Sequence, residues 1–385
     1  MNIKDYFSPV DLEMKIDNQL FYENLFGNNL LVHTLKNKIS NINKFKIAIL
    51  GIPEERGTKN IGCKHAPDKI RNKLYYLTKN NNFPAIVDLG NFRIGKTIND
   101  TYIGLRDVII KLLNNDVLPV IIGGSENLLY SCFLANEELK RTVNVLEINS
   151  HINIGNQEDE INEIPFLGKI IKSKYFKNFT NVGYQGYFVP HKDIALMKKL
   201  YFDTIRLGEI RSDLKEVEPI IRDSEIISIN INSVKQSDAP GYFSPSPNGF
   251  YSEEICQIAK FAGMSEKVSC FSLFDVNPDY DINEQTSHLA AQIIWHFIDG
   301  FCQRTNDFPF ANSSEYTKYV VNISNFDTNL IFYKSKKSMR WWLEIPETIS
   351  KTEKNTLIAC SYNDYKKACE NEMPERFWKF IQKSF

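Results

Sequence analysis

The most informative segment of this chain reads Ser228-Ile-Asn-Ile-Asn-Ser-Val-Lys-Gln-Ser-Asp-Ala-Pro-Gly241. It continues a β-branched run at residues 226–231, which predicts a buried strand, and it closes with a Pro-Gly turn. Asn230 and Asn232 lie where that strand ends. Binding and catalytic sites of open α/β sheets form at the carboxyl ends of the strands. The segment therefore predicts both an α/β architecture and the position of a site.

The same pattern continues on both sides of this segment. Apolar runs occur at residues 46–50, 85–89, 117–122, 142–146, 226–231 and 268–274. Helix-like stretches lie between them, at residues 68–77, 102–113, 253–261 and 286–297. Strands that alternate with helices predict a three-layer αβα fold with a mainly parallel sheet covered on both faces.

Three regions are expected along the chain. Residues 44–308 carry the α/β pattern, and residues 1–43 precede it as an N-terminal extension that packs on this body. Residues 309–385 contain strand-like segments in which apolar and polar residues alternate, the Trp341-Trp342 pair and a final helix-like segment. We interpret them as a small C-terminal α+β appendage whose aromatic residues suit partner contact or a small core.

Composition excludes several classes of protein. A formal net charge of −1 over 385 residues gives no electrostatic reason to expect nucleic acid as a partner. No apolar run approaches the length of a membrane span, and no signal peptide is readable. The seven cysteines lack C-x-x-C spacing, which favours free thiols. We therefore expect a cytoplasmic protein.

Six segments, in chain order, resemble the ureohydrolase family (arginase, agmatinase, formimidoylglutamase), most closely its formimidoylglutamase-like branch. They are Gly51–Gly57 with Gly62–Arg71, Ala85–Gly90, Pro119-Val-Ile-Ile-Gly-Gly-Ser-Glu-Asn127, Asn149-Ser-His-Ile-Asn153, Ser228–Gly241, and Phe274-Asp-Val-Asn-Pro-Asp-Tyr-Asp281. The resemblance implies an arginase/deacetylase-like fold. It further implies a chemistry in which two Mn²⁺ ions activate a hydroxide that attacks a guanidinium or amidine carbon.

In that family four carboxylates and two imidazoles hold the two ions. The resemblance places these six ligand positions at Glu126, Asn149, His151, Asn153, Asn230 and Asn232. His151 alone keeps the family's residue type. Because a neutral amide is a much poorer ligand for a dication than a carboxylate, we expect that the dinuclear metal site is lost and these positions are vestigial.

Retained scaffold residues without the metal carboxylates predict a catalytically inactive pseudoenzyme of ureohydrolase fold. Its expected role is an interaction scaffold or regulatory subunit that has no cofactor and binds an unidentified protein partner. Two alternatives stay open. One is a sensor of a guanidino or amidine ligand, and the other is a hydrolase of C–N bonds in linear amidines with a single, weakly held Mn ion on Glu126 and His151. A homo-oligomer is compatible with each of the three.

Four further residues are candidates for a ligand pocket: Ser125, Asn127, Lys235 and Asp275. Asp275 stands where the family has a glutamate that contacts the guanidinium side of the substrate. Lys235 replaces an aspartate of the family motif and would bring a cation to the pocket. We expect Asp275 either to pair with a neighbour such as Lys235 or to receive a cationic ligand.

Overall fold

A computed structural model describes residues 3–10, 24–37, 39, 41–80, 82–152, 154, 165–307, 313–324, 328–346 and 356–384. The main sheet has ten strands: β1 (Phe7–Ser8), β2 (Leu31–Val32), β3 (Ile47–Gly51), β4 (Ile86–Phe92), β5 (Leu118–Ile122), β6 (Val143–Ile148), β7 (Phe176–Tyr184), β8 (Asp203–Arg206), β9 (Ile226–Asn230) and β10 (Cys270–Phe274). The helices of this part are α1 (Ala66–Leu74), α2 (Ile98–Leu113), α3 (Leu129–Glu138), α4 (Phe166–Ile170), α5 (His191–Lys199), α6 (Leu207–Ser212), α7 (Val217–Arg222), α8 (Ser252–Met264) and α9 (Gln285–Cys302).

The strands of the main sheet follow the order β1-β4-β3-β5-β10-β9-β6-β7-β8, with β2 beside β4. Only β1 runs antiparallel among these pairings, with Phe7 opposite Phe92. The N-terminal region thus adds two short strands, β1 and β2, to one side of the sheet. Parallel order places the carboxyl ends of β5, β10, β9 and β6 side by side.

Two apolar cores cover the two faces of the sheet. One includes Ile70 of α1, Ile258 of α8 and Ile294 of α9. The other includes Leu105 of α2 and Phe133 of α3. Because both faces are covered, strands such as β5 are buried at every position and show no polar alternation. The predicted three-layer α/β fold is confirmed.

A capping box at Thr97 marks where α2 begins. Thr97 caps α2, since its hydroxyl accepts a hydrogen bond of 3.1 Å from the Asp100 N–H. The Asp100 carboxylate in turn accepts from the Thr97 N–H at 2.8 Å. This reciprocal pair satisfies two backbone donors that the first turn of a helix leaves open.

The C-terminal region forms a second, antiparallel sheet. Its strands are β11 (Tyr316–Ile323), β12 (Thr328–Ser335), β13 (Trp341–Ile345) and β14 (Thr356–Cys360), followed by α10 (Tyr362–Cys369) and α11 (Glu375–Ser384). The expected strands and closing helix are present. Whether this region is a separate domain with a boundary near residue 308 stays a prediction.

Buried polar contacts attach this second sheet to α7. The Arg222 guanidinium donates to the carbonyl oxygens of Trp341 and Cys360, at 3.1 and 3.3 Å. The neighbouring Asp223 carboxylate accepts from the Ala359 N–H at 2.8 Å. These contacts lie near the amino end of β9, away from the strand ends that carry the candidate site. Within the described ranges, no helix has the length and apolar content that a membrane crossing requires.

Candidate active site

A two-glycine turn delivers the first acid of the site. Gly123 and Gly124 follow β5 with φ values of +80° and +74°, a region that L side chains rarely adopt. A Cβ on Gly124 would lie 2.8 Å from the Ile52 carbonyl oxygen, so the close backbone approach excludes any side chain. The turn places Glu126 at the carboxyl end of the sheet, between β6 and β9.

Two of the asparagines bond to this acid. The side-chain NH₂ groups of Asn149 and Asn230 both donate to Glu126 Oε2, at 2.8 and 2.7 Å. Asn230 also donates to Asp275 Oδ2 at 2.6 Å. Their amide oxygens accept backbone N–H groups of His151 and Asn232, each at 3.0 Å. The two amides therefore link acids that come from different strand ends.

Asp275 is held in an unusual backbone conformation. Its φ is +66°, in the left-handed region, where strain often accompanies a functional residue. The Asp275 N–H donates to the Gly124 carbonyl oxygen at 2.9 Å, and Asn60 donates to the Asp275 carbonyl oxygen at 2.6 Å. Burial and then the charge of Glu126 raise the pKa of the Asp275 carboxyl to about 8.

Glu147 completes the group of acids and was missed by the sequence analysis. It lies on β6, two residues before Asn149 and on the same face, and is 2% exposed. Its carboxyl group hydrogen-bonds the carboxyl group of Glu126. Burial and the charge of Glu126 raise the pKa of Glu147 well above its usual value, so Glu147 holds the shared proton. An acid inside an otherwise apolar strand was the available signal.

His151, two residues after Asn149, adds an imidazole to the site. Ser150 Oγ donates to Asn232 Oδ1 at 3.1 Å and therefore accepts the 2.8 Å hydrogen bond from His151 Nδ1. This leaves Nε2 as an acceptor. The ring stacks on Phe188 with centroids 4.6 Å apart, and burial lowers the pKa of the imidazole. His151 thus stands as a neutral base or ligand.

The structure brings Glu126, Asn149, His151, Asn230 and Asn232 together, as expected from their positions at the strand ends. Asn153 lies outside the described residues. The roles of all six positions stay predictions.

Of the four pocket candidates, Ser125 and Asp275 lie at the group of acids, whereas Asn127 and Lys235 are directed elsewhere. Ser125 is buried beside Glu126, and Asp275 belongs to the group of acids. Asn127 instead donates to the Gly57 carbonyl oxygen at 2.9 Å and lies toward the neighbouring loop.

The expected pairing of Lys235 with Asp275 is wrong. The Lys235 ammonium lies 3.4 Å from the Asp238 carboxylate and 3.8 Å from the centre of the Tyr251 ring. A nearby acid in its own turn and an aromatic face hold this long side chain away from the strand ends. Asp275 instead accepts from Asn230.

The donor set does not fit two Mn²⁺ ions. Asn149 and Asn230 direct N–H groups, not carboxylates, at Glu126, and a dication needs oxygen or imidazole lone pairs. The residues fit at most one ion, on Glu126 Oε1 or Oε2 and His151 Nε2, completed by amide oxygens and water.

Curated relatives carry one recurrent name. Formimidoylglutamase of Staphylococcus haemolyticus (strain JCSC1435) is 26% identical over 285 residues, which cover 69% of this chain and 89% of that protein. Formimidoylglutamase of Bacillus subtilis (strain 168) is 26% identical over 280 residues and covers 66% and 86%.

Solved structures agree in fold. Trypanosoma cruzi formiminoglutamase with Mn²⁺ superposes with a TM-score of 0.64 at 20% identity, over 70% of this chain and 97% of that one. Formimidoylglutamase from Bacillus subtilis gives 0.62 at 22% identity, over 70% and 96%. Proclavaminate amidino hydrolase from Streptomyces clavuligerus gives 0.60 at 20% identity, over 73% and 98%.

These relatives contradict one prediction. The relatives and the neighbouring structures bear the names of hydrolases. The interpretation of the chain as an inactive scaffold or regulatory subunit is therefore wrong, and the hydrolase alternative is favoured. Residues 45–299, more than half of the chain, match the model of the arginase family, and the protein belongs to that family, with formimidoylglutamases among its relatives.

Proposed function

We propose that this protein hydrolyses a C–N bond of a linear amidine, as a formimidoylglutamase-type enzyme. In the proposed reaction water adds to the amidine carbon, the C–N bond to the substituted nitrogen breaks, and a simple amide and a primary amine are released. The relatives support the reaction class. The observation that carries the proposal is the group of acids Glu126, Glu147 and Asp275 at the strand ends.

These acids suit a cationic amidinium. Glu147 and Asp275 are 2% and 4% exposed, and within the described part of the chain no lysine or arginine compensates the charge of either carboxyl group. A planar cation with several N–H donors would supply the charge that these carboxyl groups lack, and charge-assisted hydrogen bonds would orient it. Binding of the substrate thus stabilises an arrangement that is costly without it.

Each polar group has a distinct part in the proposed reaction. Asp275 and Glu126 receive the amidinium, and Glu147 provides the proton that the leaving nitrogen requires. His151 Nε2 and Glu126 would hold a divalent ion. Such an ion, when bound, supplies a nucleophilic hydroxide at neutral pH. Phe188 stacks on His151 and limits its motion.

The test is release of glutamate from N-formimidoyl-L-glutamate by protein dialysed against Mn²⁺, with bound manganese measured by mass spectrometry. Glu126→Ala should lower kcat/KM by more than about 100-fold, since even the partners of metal ligands contribute 10- to 100-fold. Asp279→Asn, which removes an exposed acid four residues after Asp275, is the matched control and should retain activity. Absence of turnover by the wild type with Mn²⁺ or other divalent ions would overturn the proposal.

A further inference from the structure

A guanidinium group lies at the carboxyl end of β8, at the same end of the sheet as the candidate active site. Arg206 ends β8, is exposed, and donates from Nε to the Tyr184 hydroxyl at 2.9 Å. Tyr184 in turn ends β7, the neighbouring strand. Gly186 follows it, and a Cβ built there would lie 3.9 Å from Arg206 Nη2. The absence of a side chain at Gly186 leaves the space beside the guanidinium open.

A short segment connects this guanidinium with the imidazole of His151. The Gln185 N–H donates to the Ser150 carbonyl oxygen at 3.0 Å. Phe188, three residues later, stacks on the His151 ring. Residues 184–188 therefore run from the Tyr184 hydroxyl beneath Arg206 to the edge of the group of acids.

Four other cations in the segments that follow the strands are neutralised by carboxylates. Their ion pairs are Arg56–Glu54, Lys64–Glu55, Arg211–Glu254 and Lys235–Asp238. Arg206 has no such carboxylate among the residues that the structure describes. Glu209 accepts the backbone N–H of Arg206 at 3.3 Å rather than its guanidinium. The guanidinium thus keeps donors for a ligand.

We propose that Arg206 binds a carboxylate on the tail of the amidine substrate and so determines specificity for amidino derivatives of acidic amino acids. This inference rests on the proposed function. The site then has two poles: the acids receive the amidinium, and the guanidinium receives the opposite, anionic end. A fork of N–H donors matches a carboxylate in shape and charge. Arg206 acts in binding and has no part in the bond cleavage.

The experiment compares two amidines on each variant. N-formimidoyl-L-glutamate carries carboxylates, and N-butylformamidine has the same reacting group without them. Arg206→Gln should lower the ratio of their kcat/KM values by about 10- to 100-fold, the range expected for loss of one charge-assisted hydrogen bond. Arg206→Lys should lower it less, because the charge remains and the fork is lost. Arg141→Gln removes an exposed arginine just before β6, at the opposite end of the sheet, and should leave the ratio unchanged.

Calorimetric binding of N-formimidoyl-L-glutamate separates this inference from the proposed function. If the wild type hydrolyses neither amidine, the proposed function fails. The role of Arg206 is then still tested by the affinity for N-formimidoyl-L-glutamate, which should fall about 10-fold or more in Arg206→Gln. An unchanged ratio or an unchanged affinity in Arg206→Gln, or no binding by the wild type, would overturn the role of Arg206.

Discussion

Two sets of acids in the interior of this protein differ in what compensates their charge. Asp88, on β4, is fully buried, and the Arg71 guanidinium of α1 donates to both of its oxygens, at 2.9 and 3.0 Å. The Tyr75 hydroxyl and the Gly90 N–H also donate to it, each at 2.9 Å. Every lone pair of this carboxylate thus has a donor, and one donor carries a full charge.

Among the residues that the structure describes, the acids at the strand ends accept hydrogen bonds from neutral donors only. Asn149 and Asn230 supply amide N–H groups to Glu126 and Asp275, and Glu147 shares a proton with Glu126. Neutral hydrogen bonds offset only part of the cost of removing a charge from water. The paired acid Asp88 therefore belongs to the scaffold, whereas the uncompensated acids at the strand ends favour a cationic ligand there.

The largest loss of stability is expected when the ion pair between Arg71 and Asp88 is broken. Arg71→Met leaves Asp88 buried without its cation, and breaking such a pair typically costs about 3–5 kcal/mol. Urea unfolding at pH 7 measures this loss. The double variant Arg71→Met/Asp88→Asn removes the charge, keeps an acceptor for the Gly90 N–H and offers an NH₂ group from which the Tyr75 hydroxyl can accept, so it should recover more than half of the loss. Equal losses in the single and double variants would show that packing, not charge, makes Arg71 important.

At Asp275, removal of the charge is expected to raise the free energy of unfolding instead of lowering it. Its folded-state pKa is raised to about 8, whereas an unfolded Asp titrates near about 3.9. Because the folded value is the higher one, the wild type loses stability as the pH rises from about 4 to 8. Asp275→Asn retains an acceptor for Asn230 and has no such loss.

The stability gained by Asp275→Asn should therefore be larger at pH 8 than at pH 5, by about 2–4 kcal/mol. Urea midpoints at the two pH values measure it. Asp279→Asn serves as the control for a charge change in the same loop. A gain that is equal at both pH values would mean that the charge of Asp275 is compensated, as that of Asp88 is.

Much of the fold could be predicted because the signal is local. The central strands are mainly apolar runs, and β5, for example, is buried at every position and is followed by the turn of Gly123 and Gly124. The grouping of Glu126, Asn149 and Asn230 followed from family resemblance and from the shared edge of a parallel sheet. Strand β1 has two residues, too few for any pattern.

The candidate site was predicted less completely, for physical reasons that differ by residue. Glu147 reads as one charge in an apolar strand, and only the neighbouring strands show that it is buried beside Glu126. The direction of Lys235 depends on Tyr251, sixteen positions away, whose ring attracts the ammonium. Arg206 is the last residue of a strand of only four residues, too short for a clear sequence pattern.

The smallest loss of stability is expected at a partly exposed acid that pairs with two lysines. The Glu284 carboxylate, whose side chain is 38% exposed, lies 2.7 Å from the Lys69 ammonium and 2.6 Å from that of Lys73. Hydrogen bonds from these lysines lower the pKa of Glu284 to about 2, so their contribution is present above about pH 4.3 and is lost as the pH falls through about 2. Solvent screens this pair, and Glu284→Gln should cost less than about 1 kcal/mol at pH 7. Urea midpoints in low salt and in about 0.5 M salt should show the cost shrinking as salt is added. Suppose that Glu284→Gln lost as much stability as Arg71→Met and that the loss did not depend on salt. The number of paired cations, and not burial, would then determine how much an acid contributes to the free energy of unfolding.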